Sequence, residues 1–204
     1  MGEIQQLLIT IPIFILSISF HEAAHAYTAF YLGDDTAQKQ GRLTLNPLAH
    51  LDPLGTLMLL VVHFGWAKPV PVDSRNLKKP DLYMSIIAAA GPLSNLLIAI
   101  FCIIGMNLLK YQPPLYPIIS TLQIGAWLNI MLFVFNLIPF PPLDGGNIMR
   151  GFLPSQIKET YDQLAPYGML ILLALLFLPF TKNILIGSVS FIVNWLQFVA
   201  FGWL

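Results

Sequence analysis

Two imidazoles and a carboxylate fall within five residues of one another in SISFHEAAHAYT, residues 17–28. On a helix, His21 and His25 are four apart and share one face, so a single metal ion can bridge them. Glu22 lies about 100° round the axis and flanks the pair without being needed as a ligand. H-E-x-x-H is the pattern in which two histidines bind zinc and the glutamate serves as general base. Two interfacial histidines hydrogen-bonded to backbone or to a neighbouring helix would produce the same spacing. Location weighs against that: the trio sits on the end of a membrane-length apolar run, where ionisable groups are costly and mark function by default.

A catalytic zinc takes three protein ligands and leaves one position open. The best third candidate is Asp144 in NLIPFPPLDGG, residues 136–146. Pro139, Pro141 and Pro142 break the regular backbone there, and Gly145 and Gly146 permit close approach. An ordinary Asp-Gly turn is the competing explanation. The single cysteine, Cys102, excludes both an intramolecular disulfide and a cysteine-based zinc site.

These residues need elements to position them. The chain has 204 residues, 56% of them apolar and 10% charged, with a mean hydropathy of +0.72. A soluble domain carries about 25% charged residues, so most of this surface is expected to face lipid. Equal numbers of acidic and basic residues leave no electrostatic footprint for nucleic acid. Apolar runs cover residues 5–32, 51–66, 82–109, 117–140, 165–180 and 183–203. A hydrocarbon core needs about 20 residues of helix. The run 51–66 is short for that and carries Asp52 and His63, the latter read as a satisfied histidine. No basic residue precedes the first run, which is therefore read as retained rather than as a signal peptide.

The expectation is an all-α integral membrane protein with about five transmembrane helices. A re-entrant or interfacial segment and a short extended or β stretch near residues 66–73 complete it. Residues 1–204 are read as one domain, with a core at 5–150 and a C-terminal helical hairpin at 165–203. Lys39, Arg42, Lys68, Arg75, Lys78, Lys79, Arg150 and Lys158 all fall in two polar stretches, leaving only Lys110 and Lys182 for the other side. The positive-inside bias puts those stretches in the cytoplasm and the N-terminus outside. If residues 51–66 spanned the membrane, Asp144 would emerge on the side away from the histidines. If they turn back, all three groups reach one depth near the cytoplasmic face.

HEAAH, GRLTLNPLAHLDPLGT, GWAKPVPV, AGPLSN and FNLIPFPPLDGG, in that order, resemble the site-2 protease family of intramembrane zinc metalloproteases. The likeness runs from about residue 5 to residue 150, and is greatest to small members without PDZ or CBS domains. It implies one Zn²⁺ per chain held by His21, His25 and Asp144, with Glu22 as catalytic base and Asn95 as an active-site polar residue. It further implies cleavage of transmembrane protein substrates within lipid, in a prokaryotic cytoplasmic membrane. For Asn95, holding the substrate backbone or an oxyanion is one role, and an interhelical hydrogen bond is the other. In WAKPVPV, Pro69 and Pro71 close one edge of an extended segment. Lys68, Val70 and Val72 then offer their N–H groups on the other edge to an unwound substrate; a proline-stiffened loop is the plainer reading. His50 and Asp52 could support the metal ligands or act as a gate, and are read as loop residues. A non-proteolytic metal-binding protein or transporter, or an inactive helix-binding scaffold, would share parts of this pattern. Neither needs a general base beside intact ligands.

Overall fold

The computed structural model describes residues 3–62, 65–176 and 178–201; His63 lies outside them. The helices, in order, are α1 (Glu3–Tyr31), α2 (Thr36–Lys39), α3 (Pro53–Val62), α4 (Pro80–Leu109), α5 (Tyr116–Asn136), α6 (Asp144–Phe152), α7 (Ser155–Leu164), α8 (Gly168–Leu176) and α9 (Pro179–Phe201). Helix α4 is central and packs against α1, α5, α6 and α9. Ala99, Ile130 and Val189 join α4, α5 and α9 in one buried cluster. Ala29 and Ile87 join α1 to α4, with Leu77 of the intervening loop between them. The outward faces keep large apolar side chains exposed, among them Phe101, Leu108, Phe191 and Phe198, a surface suited to lipid.

Four helices among the described residues are long and apolar enough to cross a membrane: Leu7–Tyr31, Pro80–Leu109, Tyr116–Asn136 and Pro179–Ala200. These are four of the about five expected. In the apolar run 165–180, α8 has nine residues, about 14 Å of helix at about 1.5 Å per residue, and a 3-10 turn with Pro166 precedes it.

Helix α3 has ten residues, about 15 Å, or half a hydrocarbon core. Asp52 caps it: its carboxylate accepts from Gly55 N–H at 2.7 Å and its carbonyl from Thr56 N–H at 2.8 Å. The chain then returns to its starting point, where Leu51 and Ala67 form an antiparallel bridge. Gly55 and Gly65 make the return tight, since a Cβ on Gly65 would lie 2.5 Å from the Gly55 carbonyl oxygen. The segment thus begins and ends at one place. The expected β stretch near residues 66–73 reduces to that isolated bridge, with no strand among the described residues. Pro69 and Pro71 remove two of the donors a ladder needs.

Candidate metal centre

His21 and His25 are buried, 7% and 8% exposed, on the face of α1 that meets α4. Each ring is anchored through Nδ1. His25 Nδ1 donates to the Ile87 carbonyl at 2.7 Å, and His21 Nδ1 to Asn95 Oδ1 at 2.7 Å. A neutral imidazole protonated at Nδ1 presents a lone pair at Nε2. The two Nε2 atoms converge to 3.0 Å. Gly91 of α4 lies directly behind them. A Cβ there would fall against His25 Nε2 and 2.6 Å from His21 Nε2, so any side chain would fill the space the two nitrogens face.

Asp144 arrives from the opposite direction, at the first residue of α6. After α5 ends, the backbone folds tightly on itself: Phe140 N–H donates to the Ile138 carbonyl at 2.7 Å, and Leu143 N–H to the Phe140 carbonyl at 3.0 Å. Gly145 then rests on the end of α5, where a Cβ would stand 2.5 Å from the Ile138 carbonyl oxygen. Asp144 Oδ2 lies 3.0 Å from His21 Nε2, and Oδ1 lies 3.4 Å from His25 Nε2.

With both Nδ1 atoms donating, neutral His21 and His25 turn two lone pairs toward the same point as the Asp144 carboxylate. Asp144 Oδ2 is buried and receives no hydrogen bond from the described residues. A metal cation satisfies two lone pairs and a carboxylate together. The spacing suits a small tetrahedral one: bonds of about 2.0–2.1 Å separate ligand atoms by roughly 3.3 Å. His21, His25 and Asp144 are also the one such cluster among the described residues. The donor set and its spacing fit zinc.

Glu22 stands beside this point on the wall of a cavity of about 410 Å³, which His21, His25, Asp144, Phe14 and Leu132 also line. Its Oε2 accepts from Val70 N–H at 3.0 Å. Segment 66–72 thus crosses directly over the carboxylate. Arg42 holds it there, donating to the carbonyls of Lys68 at 2.6 Å and Pro69 at 3.2 Å. His50, wholly buried, donates from Nε2 to the Thr44 carbonyl at 2.8 Å, and its Nδ1 accepts from Arg42 at 3.3 Å. His50 is therefore more than a loop residue: it backs the arginine that positions the segment.

Two sequence readings change here. Of the N–H edge formed by Lys68, Val70 and Val72, the first two donors are not open as expected. Lys68 N–H donates to the His50 carbonyl at 2.9 Å and Val70 N–H to Glu22, because the segment pairs with its own protein. Asn95 has no donor for an oxyanion either. It is fully buried, Oδ1 is taken by His21, and Nδ2 donates to Asn129 Oδ1 at 2.9 Å and to the Ser17 carbonyl at 3.3 Å. Of its two expected roles, the interhelical bond is the one seen. Gly91 and Arg42 escaped the sequence reading. AAAGP signals only close helix approach, and an arginine in a Gly/Pro-rich loop reads as a solvated charge.

Comparison with known proteins agrees with this chemistry. The model for peptidase family M50 matches residues 114–179, the stretch that includes α5, the turn and Asp144. "Putative zinc metalloprotease YwhC" of Bacillus subtilis is 44% identical over 179 residues, covering 84% of this chain and 81% of that one. "Putative zinc metalloprotease Rip2" of Mycolicibacterium smegmatis is 32% identical over 81% of this chain and 65% of its own length. "Zinc metalloprotease MJ0392" of Methanocaldococcus jannaschii is 36% identical over 52% of this chain and 32% of its own length. No solved structure matches. With a relative this similar across four-fifths of both sequences, and a family model that falls on the turn delivering Asp144, this chain belongs to peptidase family M50.

Proposed function

We propose that this chain is an intramembrane zinc metalloprotease that hydrolyses peptide bonds in or near transmembrane segments of protein substrates. The observation that carries the proposal is the convergence of His21, His25 and Asp144 on one point with Glu22 beside it. His21, His25 and Asp144 would hold zinc, whose Lewis acidity lowers the pKa of a bound water toward about 7 and polarises the scissile carbonyl. Glu22 accepts the proton of the attacking water and can return it to the leaving amine. Val70 N–H steadies one oxygen of that carboxylate. The apolar side chains of Phe14 and Leu132 suit a substrate arriving from lipid.

The closed loop 51–67 supports a topology in which α1 runs inward from an outside N-terminus, α4 returns outward and α5 runs inward again. Asp144 and the histidines then share the cytoplasmic side of what we take to be a prokaryotic cytoplasmic membrane. Helices α6 to α9 complete a single protease unit rather than a separate domain, since α6 packs on α4 and α9 on both α4 and α5.

The test is zinc analysis together with cleavage of a model transmembrane substrate by the wild type and Glu22→Gln. The variant should keep its zinc and lose about 10²–10⁴-fold in turnover, the range of a general base. Equal cleavage by the two would sink the proposal.

A further inference from the structure

We infer that Asn129, with Ser17, is a positioning residue for the metal centre: a hydrogen-bond chain of fixed direction runs from α5 through α4 to α1 and holds His21 with its Nε2 free. The inference rests on His21 being a ligand, as proposed above. Asn129 and Asn95 are fully buried and Ser17 is 3% exposed, in three helices long enough to cross the membrane.

The two ends of a side-chain amide have the same shape, so only its partners fix which end is which. Here the partners leave no freedom. Ser17 Oγ gives its one proton to the Ile13 carbonyl at 2.7 Å, and can only accept from Asn129. Asn129 must therefore present Nδ2 to Ser17 Oγ at 2.9 Å, and the same group donates to the Gly125 carbonyl at 2.9 Å. Its Oδ1 is left to face Asn95, which must answer with Nδ2. The second N–H of Asn95 reaches the Ser17 carbonyl. Its Oδ1 then faces His21, whose Nδ1 must carry the proton.

Three backbone carbonyls, at Ile13, Gly125 and Ser17, thus decide which nitrogen of a remote imidazole is free for metal. The contrast with His25 shows why a chain is needed. His25 is set by the Ile87 carbonyl, which can only accept. His21 is set by an amide, and that amide, once turned over, would offer an N–H and select the tautomer protonated at Nε2. Asn129, at the shorter distance, and the Ser17 carbonyl together prevent the turn.

Zinc affinity, measured by competition with a chromogenic chelator on purified protein, tests this without relying on activity. Asn129→Leu keeps the volume and suits a lipid-spanning helix. It should weaken zinc binding about 10- to 100-fold, as loss of an outer-sphere partner does, with helix content unchanged. The same substitution in an Asn95→Asp background should cost no more than about threefold, because the carboxylate accepts from His21 Nδ1 without needing direction from Asn129. Should Asn129→Leu fail to fold, Ser17→Ala removes the acceptor with a smaller change and should weaken zinc several-fold. Unchanged affinity in Asn129→Leu or, where that variant fails to fold, in Ser17→Ala overturns the inference. So does an equal loss with Asp at 95, which would mean Asn129 only packs the helices. A zinc-replete Asn129→Leu enzyme lacking cleavage would also count against it. The protease proposal fails on separate results: a wild type that does not cleave, or Glu22→Gln cleaving equally.

Discussion

The two halves of the site are built by different means. The helix-borne half, His21 and His25 against α4, is fixed by side-chain hydrogen bonds between buried groups. The loop-borne half, Asp144 and segment 66–72, is fixed by main chain folded closely on itself and by one arginine gripping two carbonyls. Regular helices leave only side chains free to choose partners, so the first half depends on the donors and acceptors present. Irregular segments have spare backbone groups, so the second depends on where the chain is allowed to approach.

The helix-borne half should break most completely at Gly91. Gly91→Ala places a methyl against both Nε2 atoms. Zinc binding should fall by more than the roughly 100-fold reached by outer-sphere changes, read as zinc content after dialysis against a chelator. Retained zinc would mean that α1 and α4 can separate, and that the packing is looser than described. Arg42→Ala attacks the other half alone. Zinc should remain bound, while turnover falls, proteolytic nicking at 66–72 rises and stability drops by about 2 kcal/mol as buried acceptors lose their donor. Loss of zinc in this variant would show that the two halves are not separable.

The smallest effect sharpens the picture of the loops. Asp34, fully buried, ties residues 34–36 to 73–76. It accepts from Thr36 N–H, the Thr36 hydroxyl, Asp73 N–H at 2.8 Å and Asn76 Nδ2 at 2.8 Å. Burial alone would raise its pKa, but the hydrogen bonds from Thr36, Asn76 and Asp73 outweigh it and hold the carboxyl below its usual value. A lowered folded pKa means stabilisation that is complete above the unfolded value of about 3.9 and is lost as pH falls through the folded one. Asp34→Asn should therefore cost about 1 kcal/mol at neutral pH, with the gap to wild type closing in acid melts. A gap independent of pH would show that the charge plays no part.

Which parts were legible follows from the same contrast. The histidine pair and Glu22 could be read because helical spacing converts directly into a shared face. Asp144 could be paired with them because its Pro- and Gly-rich surroundings and the short run 51–66 left one consistent depth. The partners of Asn95 could not be read. Ser17, Asn95 and Asn129 are far apart in sequence, and only the rotation of three helices about their axes makes them neighbours. For segment 66–72 a free edge and a stiffened loop could not be told apart, because alternating prolines announce which donors are missing, not where the remaining ones point. Hydropathy also does not register a turn that is itself largely apolar, such as Ala165–Tyr167 ahead of α8.

The bridge between Leu51 and Ala67 has one more consequence. Because the chain leaves and re-enters at adjacent residues, everything between them is a cassette hung from a single closed point. Lengthening such a cassette adds closure entropy only logarithmically, about 0.6 kcal/mol per doubling. Its tip could be exchanged, extended or tagged while Arg42 still finds Lys68 and Val70 still meets Glu22.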